Sequence, residues 1–423
     1  MEEWKIYRLG DLVDFQNGYA FKSSKFLYDG KYKIIRIKEL KNGLVKFFED
    51  TVSISDEPNE ILSKILVNKG DVIFALTGDP VSKQNANSWV GRVSLYTHDI
   101  PAYLNQRTCK IIQCNNVVPQ YVYYYFRQYE NLYSLASKAT GSASQANIST
   151  KILEDTEILL PSLSVQEKMV AILASLDNKI ALNRRINDNL EQQAQTLFKS
   201  WLVDFDPFKN GKFVESEMGM IPEGWKVISL QEYCQEITRG NIPTYVEKSN
   251  RPILNQKVNK GVSLEKQYYK YNSENVEVSI SKMAHYGDVL LNSLGQGTLG
   301  RVHLYKEKLG NVIIDQFITI LRTNLFVKSA YLSYTLNRPE YQTIIEGNVT
   351  GSTGMWVLTI NNVRNIKIIV PKESCFLELA PIINSIYQAI SNNTAEMEQL
   401  CTLRDCILPH LMSGELKIND LNC

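Results

Sequence analysis

The sequence predicts an α+β protein: two repeated mixed α/β heads and two long helices that form an antiparallel coiled coil. Three observations carry that prediction. The chain contains itself twice, since Val90-Gly91-Arg92-Val93-Ser94-Leu95-Tyr96 returns as Leu299-Gly300-Arg301-Val302-His303-Leu304-Tyr305. Thr140-Gly141-Ser142 likewise returns as Thr350-Gly351-Ser352, and Pro161 as Pro371, with an offset of 209 residues for the first match and 210 for the others. The middle of each copy is rich in β-branched and aromatic residues broken by Gly, Asn and Asp, a pattern of short strands and turns. Each copy then ends in a seven-residue apolar period.

Bulk properties fit this outline. A chain of 423 residues has room for two or more domains with separate cores. The hydrophobic fraction of 44% and charged fraction of 22% are ordinary for a globular protein. With 46 basic and 45 acidic side chains, the balance neither requires nucleic acid nor excludes it, because local patches bind phosphate on a neutral protein. No apolar run reaches the ~18–20 residues that span a bilayer. Met1-Glu2-Glu3-Trp4-Lys5 is acidic, unlike a signal peptide. The seven cysteines lack any C-x-x-C, and Cys109/Cys114 and Cys401/Cys406 stand five apart. That argues for reduced thiols in the cytoplasm over a disulfide framework or a zinc site. Four scattered histidines argue against a metal centre.

Each copy opens on a strand-like run, Trp4-Lys5-Ile6-Tyr7-Arg8-Leu9 and Trp225-Lys226-Val227-Ile228-Ser229-Leu230. Strands are expected at residues 34–37, 72–76, 90–96 and 108–112. Gly70-Asp71-Val72 and Gly287-Asp288-Val289 are paired turn-to-strand starts. A helix is expected over 120–136, matched by 329–345. Closing strands follow at 156–160 and 365–370, each stopped by proline. The expected division is a first head over 1–160, a helix over 161–205, a polar linker over 206–220, a second head over 221–370 and a second helix over 371–423.

In the first helix the heptad places Leu173, Ile180, Asn187, Ala194 and Trp201 at a, with Leu176, Asn183, Leu190 and Leu197 at d. The second has Ile383, Ile390, Met397, Arg404 and Leu411 at a, with Ile386, Asn393, Leu400 and Ile407 at d. Asn183 aligns with Asn393, and a polar residue in an apolar seam fixes partner and register at some cost in stability. Each helix would run roughly 40 residues, or about 60 Å. The alternative is two amphipathic helices, each packed on its own head.

No motif assigns catalysis to this chain. Gly295-Gln296-Gly297-Thr298-Leu299-Gly300 matches G-x-G-x-x-G, but a strand-like run follows where a dinucleotide site needs a helix. Asp206-Pro207-Phe208 lacks the second proline of the D/N-P-P-Y/F of amino-methyltransferases. The polar, glycine-broken loops are more informative, because Gln, Asn, Ser, Lys and Arg read base edges and hold phosphates. Candidates are Lys83, Gln84 and Asn85, then Ser142, Ser144, Gln145 and Asn147, and in the second copy Gln296, Ser352, Thr353 and Trp356. The bland alternative is a solvated turn for each loop residue and a packing contact for Trp356. Arg92 and Arg301 either touch phosphates or serve the repeated Gly-Arg-Val structurally. The aromatic run Tyr121 to Tyr133 reads by default as core.

These features together resemble the specificity (S) subunit of type I restriction–modification systems. The resemblance rests on Gly219-Met220-Ile221-Pro222-Glu223-Gly224-Trp225-Lys226 and on Gly141-Ser142-Ala143-Ser144-Gln145-Ala146-Asn147-Ile148, similar to the family's G-S-x-x-Q-x-N-I loop. It rests also on Leu160-Pro161-Ser162-Leu163 with Val165-Gln166-Glu167, and on Leu197-Phe198-Lys199-Ser200-Trp201-Leu202-Val203-Asp204-Phe205. The second copy departs from the pattern: residues 351–356 lack the Gln and Asn, and Phe376-Leu377-Glu378 replaces Gln166-Glu167-Lys168. The resemblance implies that each head is a target recognition domain for one half of a bipartite double-stranded DNA target, with the coiled coil setting the gap. It implies two copies of a methyltransferase (M) subunit as partners, carrying S-adenosylmethionine and flipping an adenine for methylation. A motor–nuclease (R) subunit using ATP and Mg would cut unmodified DNA. The chain itself would hold no cofactor and no metal. A coiled-coil scaffold that binds proteins instead of DNA is the alternative from another class.

Overall fold

The computed structural model describes residues 4–83, 85–307, 312–351 and 356–416. Two compact units form, one from Met1–Ile180 with Glu398–Cys423 and the other from Ala181–Met397. The two long helices, Leu163–Leu202 and Glu373–Met412, are each 40 residues long, as their heptads predict. The boundary between units falls inside both helices, so each unit holds one head and a segment of each helix.

In the first head the opening strand Lys5–Arg8 pairs antiparallel with the closing strand Glu157–Leu160, Lys5 opposite Leu160. The second head repeats this with Lys226–Ser229 and Lys367–Val370. A six-stranded sheet in the first head runs in the order Val13–Asn17, Thr108–Cys114, Val72–Ala75, Val93–Leu95, Leu44–Val45 and Leu40–Lys41. All four residues of Val72–Ala75 are buried. Val72 and Phe74 face the core shared with the helices, while Ile73 and Ala75 face a second core beyond the sheet. Side chains alternate across a strand, so a strand with a core on each side must be apolar throughout. Val289–Asn292 does the same in the second head, with Val289 and Leu291 on one side and Leu290 on the other.

The single helix expected over 120–136 is two helices, Pro119–Arg127 and Tyr129–Ala136, broken where Gln128 turns extended. Its counterpart is Phe326–Leu336 and Pro339–Gly347. Proline excludes the α region for the residue before it, which explains the second break. Tyr121, Tyr123, Tyr124 and Phe126 are core residues, as the helical spacing suggests. The strand expected over 90–96 shrinks to Val93–Leu95 because Gly91 lies at φ +79, a turn conformation.

The stretch 206–220 is not a loose polar linker. Phe213–Ser216 and Gly219–Pro222 form a hairpin. Phe205 and Phe208 set their rings edge-on against Trp225, with centroids 5.2 and 5.4 Å away. Asp206, the one acid of the near-miss methyltransferase motif, is bonded to Ser200 at 2.7 Å and Lys209 at 2.6 Å, a helix-end role.

Both readings of the heptads hold in part. Leu173, Ile180, Asn183, Ala194, Ile383, Ile390 and Leu411 are buried, whereas Leu176, Leu190, Leu197, Ile386, Leu400 and Ile407 are half-buried. Leu173, Leu408 and Leu411 belong to the first head's core, and Ala194, Phe198, Ile383 and Ile390 to the second's. The helices therefore pack on the heads as well as on each other, which widens the apolar stripe beyond a strict a/d seam. In the second unit the seam turns polar. Asn183 donates to Glu396 at 2.7 Å, Asn393 to Asn187 at 2.9 Å and Asn187 to Thr394 at 3.2 Å. Residue numbers rise on one helix as they fall on the other, so the segments are antiparallel. Asn183 and Asn393, equivalent in the repeat, do not bond each other. In the first unit Arg404 donates to Asp177 at 2.7 Å, and Asp177 also accepts from the Tyr124 hydroxyl at 2.9 Å.

His303 supplies a pH prediction for the second unit. Its Nδ1 lies 2.7 Å from the Gly261 carbonyl, which fixes the neutral tautomer with the proton on Nδ1. Burial first, then the nearby Lys306 charge, pushes its pKa down to about 4. The unfolded chain takes up this proton near pH 6.5 and the folded one only near 4, so stability falls as pH drops through that window. Unfolding free energy of the chain is expected to lose ~3 kcal/mol from this group between pH 6.5 and 4. Denaturant titrations of His303→Gln across that range should show the dependence flattened; an unchanged slope would refute it.

Candidate nucleic-acid interface

Two polar loops that are far apart in the sequence meet at one edge of the first head. Thr140–Ser142 and Gln145–Asn147 form a tight hairpin, and its second strand pairs with Thr77–Gly78. Gly141 lies at φ +140, and a Cβ there would stand 2.3 Å from the Gln145 carbonyl, so only glycine fits. The Ser142 hydroxyl closes the turn, accepting from Ser144 N at 3.4 Å and Gln145 N at 3.2 Å. Gln145 is left exposed. Asn147 is half-buried and accepts from the Thr77 hydroxyl at 2.8 Å. Thr77 in turn accepts from Arg107 Nη1 at 3.3 Å.

Sequence reading missed Arg107 and its turn, Asn105-Gln106-Arg107. The turn is pinned from behind by Gly18, where a Cβ would fall 2.2 Å from the Asn105 carbonyl. The second head repeats that approach, with Gly240 held 2.3 Å, by the same measure, from the Asp315 carbonyl. Gln106 and Arg107 are exposed. The available signal was Gln106 returning as Gln316 at the shared 210-residue offset.

Other candidates are placed differently. Lys83 is exposed, and its carbonyl accepts from the Trp89 indole at 2.6 Å. Asn85 is exposed and caps the short 3-10 helix Ala86–Ser88. Gln84 lies outside the described residues, as do Ser352 and Thr353. Arg92 takes its structural alternative. Its guanidinium donates to the carbonyls of Ile37 at 2.6 Å, Ser88 and Trp89 at 3.0 Å and Leu40 at 3.3 Å, and burial pushes its pKa down to about 10. A side chain so committed staples its own head and is not free for phosphate. Arg301 bonds the carbonyls of Gly297 at 2.9 Å and Asn259 at 3.3 Å in the same manner. Gln296 is exposed in a turn where Gly295, Gly297 and Gly300 all have positive φ. The strand Val302–Leu304 follows that turn, as expected for a hairpin and not for a dinucleotide site. Trp356 keeps half its surface exposed.

The edge recurs in the second head. Val357 bridges both Thr350 and Leu294, as Asn147 pairs with both Thr140 and Thr77. Two copies of one exposed, turn-built edge, differing in side chains, suit a protein that discriminates between two surfaces.

A family model described as type I restriction modification DNA specificity domain matches residues 1–192. The MjaIX type I specificity subunit of Methanocaldococcus jannaschii is 26% identical over 99% of this chain and 95% of its own. Over nearly its whole length the chain is thus similar to specificity subunits of type I restriction–modification systems. The HindI type I specificity subunit of Haemophilus influenzae is 22% identical over 98% of this chain and 100% of its own. Among solved structures, a type I S subunit from M. genitalium aligns with a TM-score of 0.55 at 16% identity, over 97% of this chain and 96% of that one. The specificity-subunit fold therefore extends through both copies, including the second, where the sequence pattern departs. Among the described residues, no group of three His, Cys, Asp or Glu side chains is placed to hold a metal ion. No described helix is long and apolar enough to cross a membrane.

Proposed function

We propose that this chain is the DNA-reading, non-catalytic subunit of a type I complex, with each head contacting one half of a bipartite duplex target. The observation that carries the reading is the duplicated edge: Thr77, Gln106, Arg107, Gln145 and Asn147 in one head, and Gln296, Gln316 and Trp356 in the other. Two copies of a methylating subunit would dock on the chain and bring S-adenosylmethionine. A motor–nuclease subunit with ATP and Mg would complete a restricting complex in the cytoplasm. The uninterrupted 40-residue helices support a spacer role. One added helical turn lengthens a helix by ~5.4 Å, against ~3.4 Å per base pair, so helix length would set the permitted gap.

Salt dependence tests this reading against a protein-binding scaffold. The complex with its methylating partner should bind duplex DNA with a log–log salt slope of about −0.9 per phosphate neutralised. Binding that is absent, or indifferent to salt, would favour the scaffold.

A further inference from the structure

The two edges are built alike but carry opposite chemistry at three matched places. In the first head Arg107 donates to Thr77, and Thr77 donates to Asn147. Backbone bonds identify the equivalents. Leu76 N bonds the Arg107 carbonyl at 2.9 Å, and Ser293 N bonds the Phe317 carbonyl at 2.9 Å. The residues that follow Leu76 and Ser293 are Thr77 and Leu294, which pair with Asn147 and Val357 respectively. A polar chain Arg107–Thr77–Asn147 is thus replaced wholesale by Phe317, Leu294 and Val357. The neighbouring glutamine, Gln106 or Gln316, is unchanged.

We infer that Arg107 is a specificity-determining residue: it reads a guanine in the half-site of the first head, and the second head makes an apolar contact at the corresponding base pair. This inference rests on the DNA-reading function proposed above. Arg107 is the arginine equipped for it. Arg92 and Arg301 spend their donors on carbonyls, whereas Thr77 is the one hydrogen-bond partner of the Arg107 guanidinium among the described residues. That bond uses Nη1 and holds the guanidinium from one side. The Nε–Nη2 edge, a planar two-donor fork, stays open and matches guanine O6 and N7. Thr77 can hold Nη1 because its own proton goes to Asn147, which leaves its lone pairs free to accept. Phe317 has no donor, and Leu294 and Val357 could orient none. A methyl-bearing thymine is the base such a surface favours.

The test is a map of methylated adenines in cells carrying the intact system with Arg107→Ala or Arg107→Lys. Both variants should lose about ten- to hundred-fold preference for one G·C pair in one half-site, leaving the other half-site and the gap intact. Lysine keeps the charge and loses the planar fork, so a phosphate contact would survive in Arg107→Lys and a bidentate base contact would be weakened. An Arg107→Lys map identical to wild type overturns the inference. If methylation vanishes, binding of each purified complex to duplexes varied at every pair of the half-site decides. Equal weakening on all duplexes overturns the inference, and loss confined to the G·C pair supports it. A wild-type map without any bipartite motif would instead remove the underlying functional reading.

Discussion

Phe376→Ala is expected to cost about 3–5 kcal/mol, seen as a lower denaturant midpoint at nearly constant slope. The ring is fully buried, lies 5.6 Å from Tyr331 and 6.4 Å from Tyr233 between centroids, and carries Lys328 over its face at 5.6 Å. Truncation leaves a cavity lined by aromatic groups that cannot collapse without breaking their own packing. The same place in the first copy holds Gln166, equally buried but polar. Gln166 accepts from Val118 N at 2.9 Å and donates to the carbonyls of Pro161 at 3.0 Å and Asn116 at 3.2 Å. The departure of the second copy from the Q-E pattern is thus an exchange of a hydrogen-bonded tie for an aromatic plug at one junction. A loss below about 1 kcal/mol for Phe376→Ala would show that the plug is not structural.

Leu173→Asp should be more damaging still, above ~5 kcal/mol, enough to leave the first unit unfolded in most of the purified chain. Leu173 is completely buried in the core that joins the first head to segments of both helices. The substitution removes a packed side chain and places a carboxyl where nothing is arranged to accept or pair with it. Leu190→Asp provides the contrast. Leu190 is half-buried, and its carboxylate would reach water, so a loss of only ~1–2 kcal/mol is expected. Comparable losses in thermal scans of the two variants would mean that the helices pair without leaning on the heads.

The long-range plan of the molecule was legible because duplication and heptads are patterns over many residues. The helix lengths, the opening and closing strands of each copy and the strand at Val72 all follow from them, whereas the pairing of opening with closing strand and the burial of Val72–Ala75 on both faces are tertiary facts. What was hidden is short or conformational. In the distal four-stranded sheet of the first head only Tyr32–Ile35 answers to an expected strand; Ser53–Ile54, Ala102–Leu104 and Leu66–Val67, of two or three residues, leave almost no periodicity to read. The break at Gln128 carries no proline, and only its counterpart at Pro339 hints at it. The hairpin after the first helix hides its anchoring aromatics, Phe205 and Phe208, in a stretch that is polar on average. At the candidate interface the loops at 77–87 and 141–147 were recognisable by composition, but their union through Thr77 and Asn147 is a tertiary fact. Arg92 was ambiguous in sequence because an arginine beside a repeated glycine serves a phosphate or a set of carbonyls equally well. Arg107 was invisible because its partner lies thirty residues away.

In the proposed function one chain reads two half-sites. A genome-wide map of methylated adenines in the source strain, with and without this gene, tests it most directly. One bipartite motif with a fixed gap is expected to be methylated in the parent and to disappear on deletion. A parent strain whose bipartite motif persists unchanged without the gene would contradict it.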